Sequence, residues 1–203
     1  MSLPNPSFVT PSEYLELERK SEIRSEYIAG RIFAMSGASR RHNLIAVNLV
    51  REINSQMRGR DCEAYVADMR VKVSPAGMYT YPDVVAVCGE PRFEDAHTDT
   101  LLNPTVFVEV LSESTEAYDR GEKFAYYRRH DTLREYVLVA QDKEHIEHYV
   151  REGEQWILSE ISDPAGTLHL VSVYCHVGLA AIYEKVDFNP LPKGQRHETD
   201  AQS

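Results

Sequence analysis

The spacing of apolar positions changes several times along the chain, and each change predicts an element. In "SRRHNLIAVNLVREINSQMRG", Leu44, Ile45, Leu49, Ile53 and Met57 recur at helical spacing, and Gly59 follows the last turn. That is the clearest predicted helix. Upstream, "TPSEYLELERKSE" carries Thr10, Pro11 and Glu13, a capping box with proline at the first helical position. Tyr14, Leu15 and Leu17 give this short helix its apolar contacts. "EYIAGRIFAM" reads as two short strands about a turn at Ala29-Gly30. Four strand-like runs follow: "CEAYVAD", "MRVKVS", "YPDVVAVC" and "TVFVEVLS", with an acidic polar loop, "GEPRFEDAHTDTLLNP", between the last two. A helix is predicted over "EAYDRGEKFAYYRRH". "REYVLVAQ", "HIEHYVR" and "QWILSE" predict a three-strand meander. "LHLVSVY" is a last strand, followed by a short apolar segment to about Tyr183.

The order is helix, hairpin, helix, strands, helix, strands. It predicts an α/β (α+β) domain with a central mixed sheet and a long helix on each side. No internal repeat and no second domain is visible. Residues 1–185 form a single expected domain, and 186–203 a polar, mobile C-terminal tail rich in proline and charge.

Composition narrows the setting. The chain has 203 residues with 42% hydrophobic content, enough for one ordinary core. The net charge is -10, which argues against a generic polyanion binder but leaves room for a local basic patch. Cys62, Cys88 and Cys175 are far apart in sequence and form no CxxC pair. They are expected to be small buried hydrophobes, with no disulfide and no zinc site. No apolar window is long enough to span a membrane, and the N-terminus lacks the pattern of a secretion signal. A reducing cytoplasm is the expected setting.

Two acids stand out against this background. In "NPTVFVEVLSEST", Glu109 lies among Val106, Phe107, Val108, Val110 and Leu111. In "YPDVVAVC", Asp83 opens an equally apolar run. An ionised carboxylate in a dry interior costs several kcal/mol unless a partner offsets it. Two such acids on neighbouring strands would share that cost by gripping one Mg²⁺ (or Mn²⁺), which takes hard oxygen ligands. The alternative is that each pairs with an arginine or caps a turn, and Asp after Pro is a common turn residue.

Pro82-Asp83, some 26 residues before a strand acid, resembles the first two parts of the PD-(D/E)XK nuclease pattern. That pattern wants a lysine two positions after the second acid, on the same strand face. Leu111 stands there instead. Most of the chain, from about Tyr14 to Tyr183, resembles one branch of that superfamily, the Uma family of putative restriction endonucleases (domain of unknown function 820). The stretches that carry the resemblance are "EYIAGRIFAMSGASRRH", "YPDVVAVC", "VFVEVLSEST", "YDRGEKFAYYR" and "REYVLVAQD". It implies a restriction-endonuclease-like core. It also implies that Lys123, from the helix series Asp119, Lys123, Tyr127, replaces the missing strand lysine. Without the resemblance, Asp119 and Lys123 read as an ordinary exposed i,i+4 ion pair.

Glu26 and His42 also match family positions, for an acid before the first turn and a histidine near the start of the long helix. Both have structural alternatives, a hairpin-end salt bridge and a helix-start contact. The Val110 carbonyl is a further metal ligand by the same resemblance. Arg40, Arg41, Arg70 and Lys72 would form a basic rim for nucleic acid if they converge. The expected activity is a metal-dependent endonuclease cutting phosphodiester bonds, with DNA as substrate by family analogy and a homodimer compatible with it. The alternative is a catalytically silent nuclease-like fold that binds nucleic acid or a protein partner, which the net charge and the missing strand lysine favour.

Overall fold

A computed structural model describes residues 8–73 and 77–189. Helix α1 (Pro11–Glu18) starts as expected: the Thr10 hydroxyl accepts from the Glu13 amide, and the Glu13 carboxylate reaches back to the Thr10 amide. Strands β1 (Ser25–Ile28) and β2 (Arg31–Ala34) form the expected hairpin. Its turn residues Ala29 and Gly30 both lie at positive φ, 46° and 90°, which matches the twist of tightly turned strands. The long helix is α2 (Arg40–Met57). Ser39 caps it by accepting from the His42 amide, and its buried stripe includes Ile45, Leu49, Ile53 and Met57.

Beyond it run β3 (Cys62–Val66), β4 (Arg70–Val73), β5 (Met78–Thr80), β6 (Val84–Cys88), β7 (Thr100–Leu101) and β8 (Val106–Val110). The next helical stretch is broken into α3 (Glu116–Tyr118), a π-helical turn at Asp119–Lys123, and α4 (Phe124–Tyr127). The chain continues through β9 (Glu135–Val139), β10 (Ile146–Glu152), β11 (Gln155–Ile161), β12 (Thr167–Leu170), β13 (Cys175–Gly178) and α5 (Leu179–Ile182). No described helix is long and apolar enough to cross a membrane.

The mixed α+β class holds, but the sheet is not single. A six-stranded sheet runs β11-β10-β9-β8-β6-β3, mixed because β8 and β9 are parallel. A five-stranded sheet runs β2-β1-β5-β4-β7, and β12-β13 pair separately. Alternation along β8 divides the core. Val106, Val108 and Val110 face α2, β12, β13 and α5. Phe107 and Leu111 face the other way, onto Val71, Val73, Met78 and Leu101 of the five-stranded sheet. The second expected helix layer is thus largely a second sheet, with the short α3–α4 stretch beside it. Helix α1 covers that sheet's far face through Tyr14, which packs with Tyr27 and Tyr79.

One cysteine expectation is corrected. Cys62 and Cys88 stand opposite each other across β3 and β6 and form a disulfide, with Cα atoms 4.0 Å apart. Their separation in sequence hid a cross-strand register. Cys175 is buried and free, as expected. The tail from residue 190 onward lies outside the described residues. Val186 and Phe188, just before it, pack against the core.

Candidate active site

The two sheets and the broken helix meet around the two acids. Glu109 has the parity of Phe107 and Leu111, so it points between the sheets. Asp83, one residue before β6, has the parity of Val85 and Val87 and points the same way. The Val110 amide donates to Asp83 Oδ2 at 2.7 Å, which ties the two strands together at this level. His42 Nε2 lies 2.9 Å from the other oxygen, Asp83 Oδ1. The Ser39 cap fixes the backbone from which His42 reaches.

Glu109 is 4% exposed. Its Oε1 accepts from Tyr127 Oη at 2.8 Å and lies 2.9 Å from Lys123 Nζ. The same ammonium lies 3.4 Å from Glu26 Oε1 and 3.5 Å from Asp119 Oδ1. Thr80 donates to Glu26 Oε1 and sits 3.1 Å from Tyr127 Oη, which closes the network. Lys123 and Asp119 come from the π-helical turn, and both are buried. Single π turns inside helices are frequent at functional sites, and here the turn supplies two members of the cluster.

Burial sets the protonation balance. It pushes the Glu109 carboxyl up to about 8; Lys123 opposes the rise, and Asp83 and Asp119 add to it. Burial also raises Asp119, again against the pull of Lys123. For Lys123 burial acts downward, but Glu109, Glu26 and Asp119 outweigh it and hold the amine well above its usual range. The cluster therefore keeps its ammonium, while burial favours a proton on one of its carboxyls.

These groups line a cleft of about 860 Å³ that also includes Phe33, Val47, Val66 and Gln141. Among the described residues no three acidic, histidine or cysteine side chains form a ready metal cage. The cleft offers two strand carboxylates and a neighbouring backbone carbonyl, all oxygen donors. That set fits a hard cation which keeps several of its waters.

The structure brings together Glu26, His42, Asp83, Glu109 and Lys123, and Val110 lines the same cleft. It does not bring the four basic residues there. Arg70 is 3% exposed and bonds Thr100 and Tyr81, with Asp99 at 2.9 Å. Lys72 pairs with Glu94. Arg41 donates to the Asp187 and Asn189 carbonyls. Arg40 is exposed at the start of α2 but does not line the cleft. Arg70 and Lys72 share the face of β4 opposite Val71 and Val73. There Arg70 lies near the Tyr14 ring and Lys72 near the Tyr79 ring, under α1, so both point away from the cleft and the expected rim fails. Sequence reasoning also missed Thr80, which no local pattern marks, and the hydrogen bond by which the buried Tyr127 hydroxyl holds Glu109.

Comparison with known proteins agrees with the motif reading. The family model described as "Putative restriction endonuclease" (Uma2) matches residues 11–180. An uncharacterised protein of Synechocystis is 38% identical over 154 residues, covering 75% of this chain and 87% of its own. A second uncharacterised Synechocystis protein is 34% identical over 181 residues, covering 89% and 94%. The fold is similar to a crystal structure described as a putative nuclease belonging to DUF820 from Anabaena variabilis. The TM-score is 0.72 at 20% identity, over 86% of this chain and 97% of the other.

Proposed function

We propose that this chain, which belongs to the Uma2 family of putative restriction endonucleases, hydrolyses phosphodiester bonds in nucleic acid with the help of Mg²⁺ or Mn²⁺. The observation that carries the reading is the 2.9 Å contact between Lys123 and Glu109. The strand lysine of the general nuclease pattern is replaced by Leu111, yet an ammonium still reaches the strand acid, from the π turn.

Asp83, Glu109 and the Val110 carbonyl would hold the metal. When bound, such an ion lowers the pKa of a coordinated water and offsets charge on the phosphate. The protein's own groups do the rest. Lys123 presents its ammonium where a phosphoryl oxygen gains charge. Tyr127 fixes one oxygen of Glu109, and Thr80 fixes Glu26 beside it. His42 and the Val110 amide each take one oxygen of Asp83 and so set its orientation. DNA is the proposed substrate by family description alone. The cytoplasm is the proposed setting, and there the Cys62–Cys88 pair would stand as two thiols.

The test is nicking of supercoiled plasmid with Mg²⁺ or Mn²⁺. The expected result is conversion to open circles, stopped by chelator and by Asp83→Asn. Activity that survives both would exclude this site. The silent-fold alternative finds support in the same cluster, because an ammonium held by three carboxylates is also a stable structural network. It predicts no nicking under any metal.

A further inference from the structure

The cleft has a second wall that the acids and the lysine do not use. Phe33 is 43% exposed, Val47 59% and Val66 47%, and all three line the cleft with Met35. They come from β2, α2 and the end of β3. A single exposed apolar side chain is ordinary, but several from separate elements facing one cleft mark a binding surface. Phe33 stands directly opposite Glu26 in the β1–β2 register, so the two share a face. Glu26 in turn lies 3.4 Å from the Lys123 ammonium. The phenyl ring is therefore a near neighbour of the proposed phosphate position.

Charge decides what such a cleft can accept. Six carboxylate residues line it: Glu26, Asp68, Asp83, Glu109, Glu113 and Asp119. Among the described residues lining it, Lys123 is the one lysine or arginine. A duplex binder needs several cations to neutralise two rows of phosphates. Arg70, Lys72 and Arg41 are committed elsewhere. The cleft lining thus offers one cationic point, Lys123, beside an apolar wall whose Phe33 ring has the Arg31 guanidinium 5.4 Å from its centroid, within an acidic surround. A nucleotide has the matching halves, a phosphate and a flat base.

We infer that the site takes a single unpaired strand, with one phosphate at Lys123 and the adjoining base against Phe33, Val47 and Val66. The inference rests on the phosphodiesterase reading above and narrows its substrate class to single-stranded ends, gaps or loops of DNA or RNA. Base–aromatic stacking tolerates any sequence, so the wall carries little sequence preference.

The test compares short fluorescent single-stranded DNA, single-stranded RNA and duplex DNA by anisotropy, with Ca²⁺ present to slow cutting. Single-turnover cleavage with Mn²⁺ follows on the same three. The expected result is single-strand binding at least tenfold tighter than duplex, and the same order in cleavage. Phe33→Ala is expected to weaken single-strand binding roughly tenfold, on the scale of one lost stack, and to leave duplex binding unchanged. The DNA and RNA arms show which strand is preferred. Equal or tighter duplex binding overturns the inference and leaves the phosphodiesterase reading standing. So does a single-strand preference that Phe33→Ala and Val66→Ser do not touch. If Phe33→Ala instead changes the sedimenting mass without changing strand binding, the wall serves a second copy and the inference falls. Phe33-dependent strand binding without cleavage of any substrate supports the ligand assignment and refutes the activity reading.

Discussion

Lys123 is buried, charged and surrounded by Glu109, Glu26 and Asp119, so its removal has two separable consequences. Breaking a buried pair by deleting one partner leaves uncompensated charge, which costs about 3–5 kcal/mol. Lys123→Met should therefore lower the thermal midpoint of the metal-free protein clearly, and added Mn²⁺ should recover part of the loss. Its cleavage rate should fall roughly 10²–10³-fold, the scale of one lost transition-state donor. Lys123→Arg should rescue poorly, because a planar fork does not replace a compact ammonium. A Lys123→Met protein that melts and cuts as wild type would mean the ammonium is dispensable. At this scale much was legible beforehand. Glu109 and Asp83 were visible as acids within apolar strands, whereas Lys123 was marked only by the family resemblance, since the Asp119–Lys123 spacing alone reads as an exposed ion pair. Thr80 was not legible, because its role depends on a register that places it beside Glu26.

At the scale of elements, legibility followed length. Helix α2 and strands β6, β8 and β9 were clear because their apolar patterns run over several residues. Strands β5 and β7, with 3 and 2 residues, carry too little pattern to read. The π turn was read as ordinary helix, since one extra residue leaves the apolar spacing almost unchanged. The Cys62–Cys88 pair needed the β3–β6 register. Helix α1 is held to the β7 region by charge: Arg19 donates to Asp99 at 2.8 Å and 2.9 Å and to Asp95 at 2.8 Å. Hydrogen bonding from Arg19 holds the Asp99 carboxyl well below the usual range, against a partial burial that would raise it. A depressed carboxyl contributes stability that is present above its unfolded pKa and lost as pH falls through the folded one. Asp99→Asn should therefore melt lower than wild type at neutral pH, by no more than about 1 kcal/mol because the pair is partly exposed. The gap should close as pH falls below about 4, the unfolded carboxylate range. A gap that persists unchanged at acid pH would assign the loss to packing. Differential scanning fluorimetry across pH reads this directly.

At the scale of the whole molecule, the fold puts the proposed chemistry where its layers meet. The six-stranded sheet supplies Asp83 and Glu109, the five-stranded sheet Glu26 and Thr80, and the broken helix Lys123, Asp119 and Tyr127. The start of α2 adds His42. No single element holds the site, so its precision depends on the packing between the two sheets. The expected basic rim was the main misjudgement at this scale. The net charge of -10 left room for such a patch, but the structure spends Arg70 and Lys72 on pairing within the fold. The central claim is that Asp83 and Glu109 share one divalent ion beside Lys123. Anomalous diffraction from crystals soaked in Mn²⁺ tests it most directly. The account predicts one strong peak bound by both carboxylates, absent in Asp83→Asn and in Glu109→Gln crystals. A Mn²⁺-soaked crystal with no peak there, and with Lys123 still closing the carboxylates off from the ion, would contradict it.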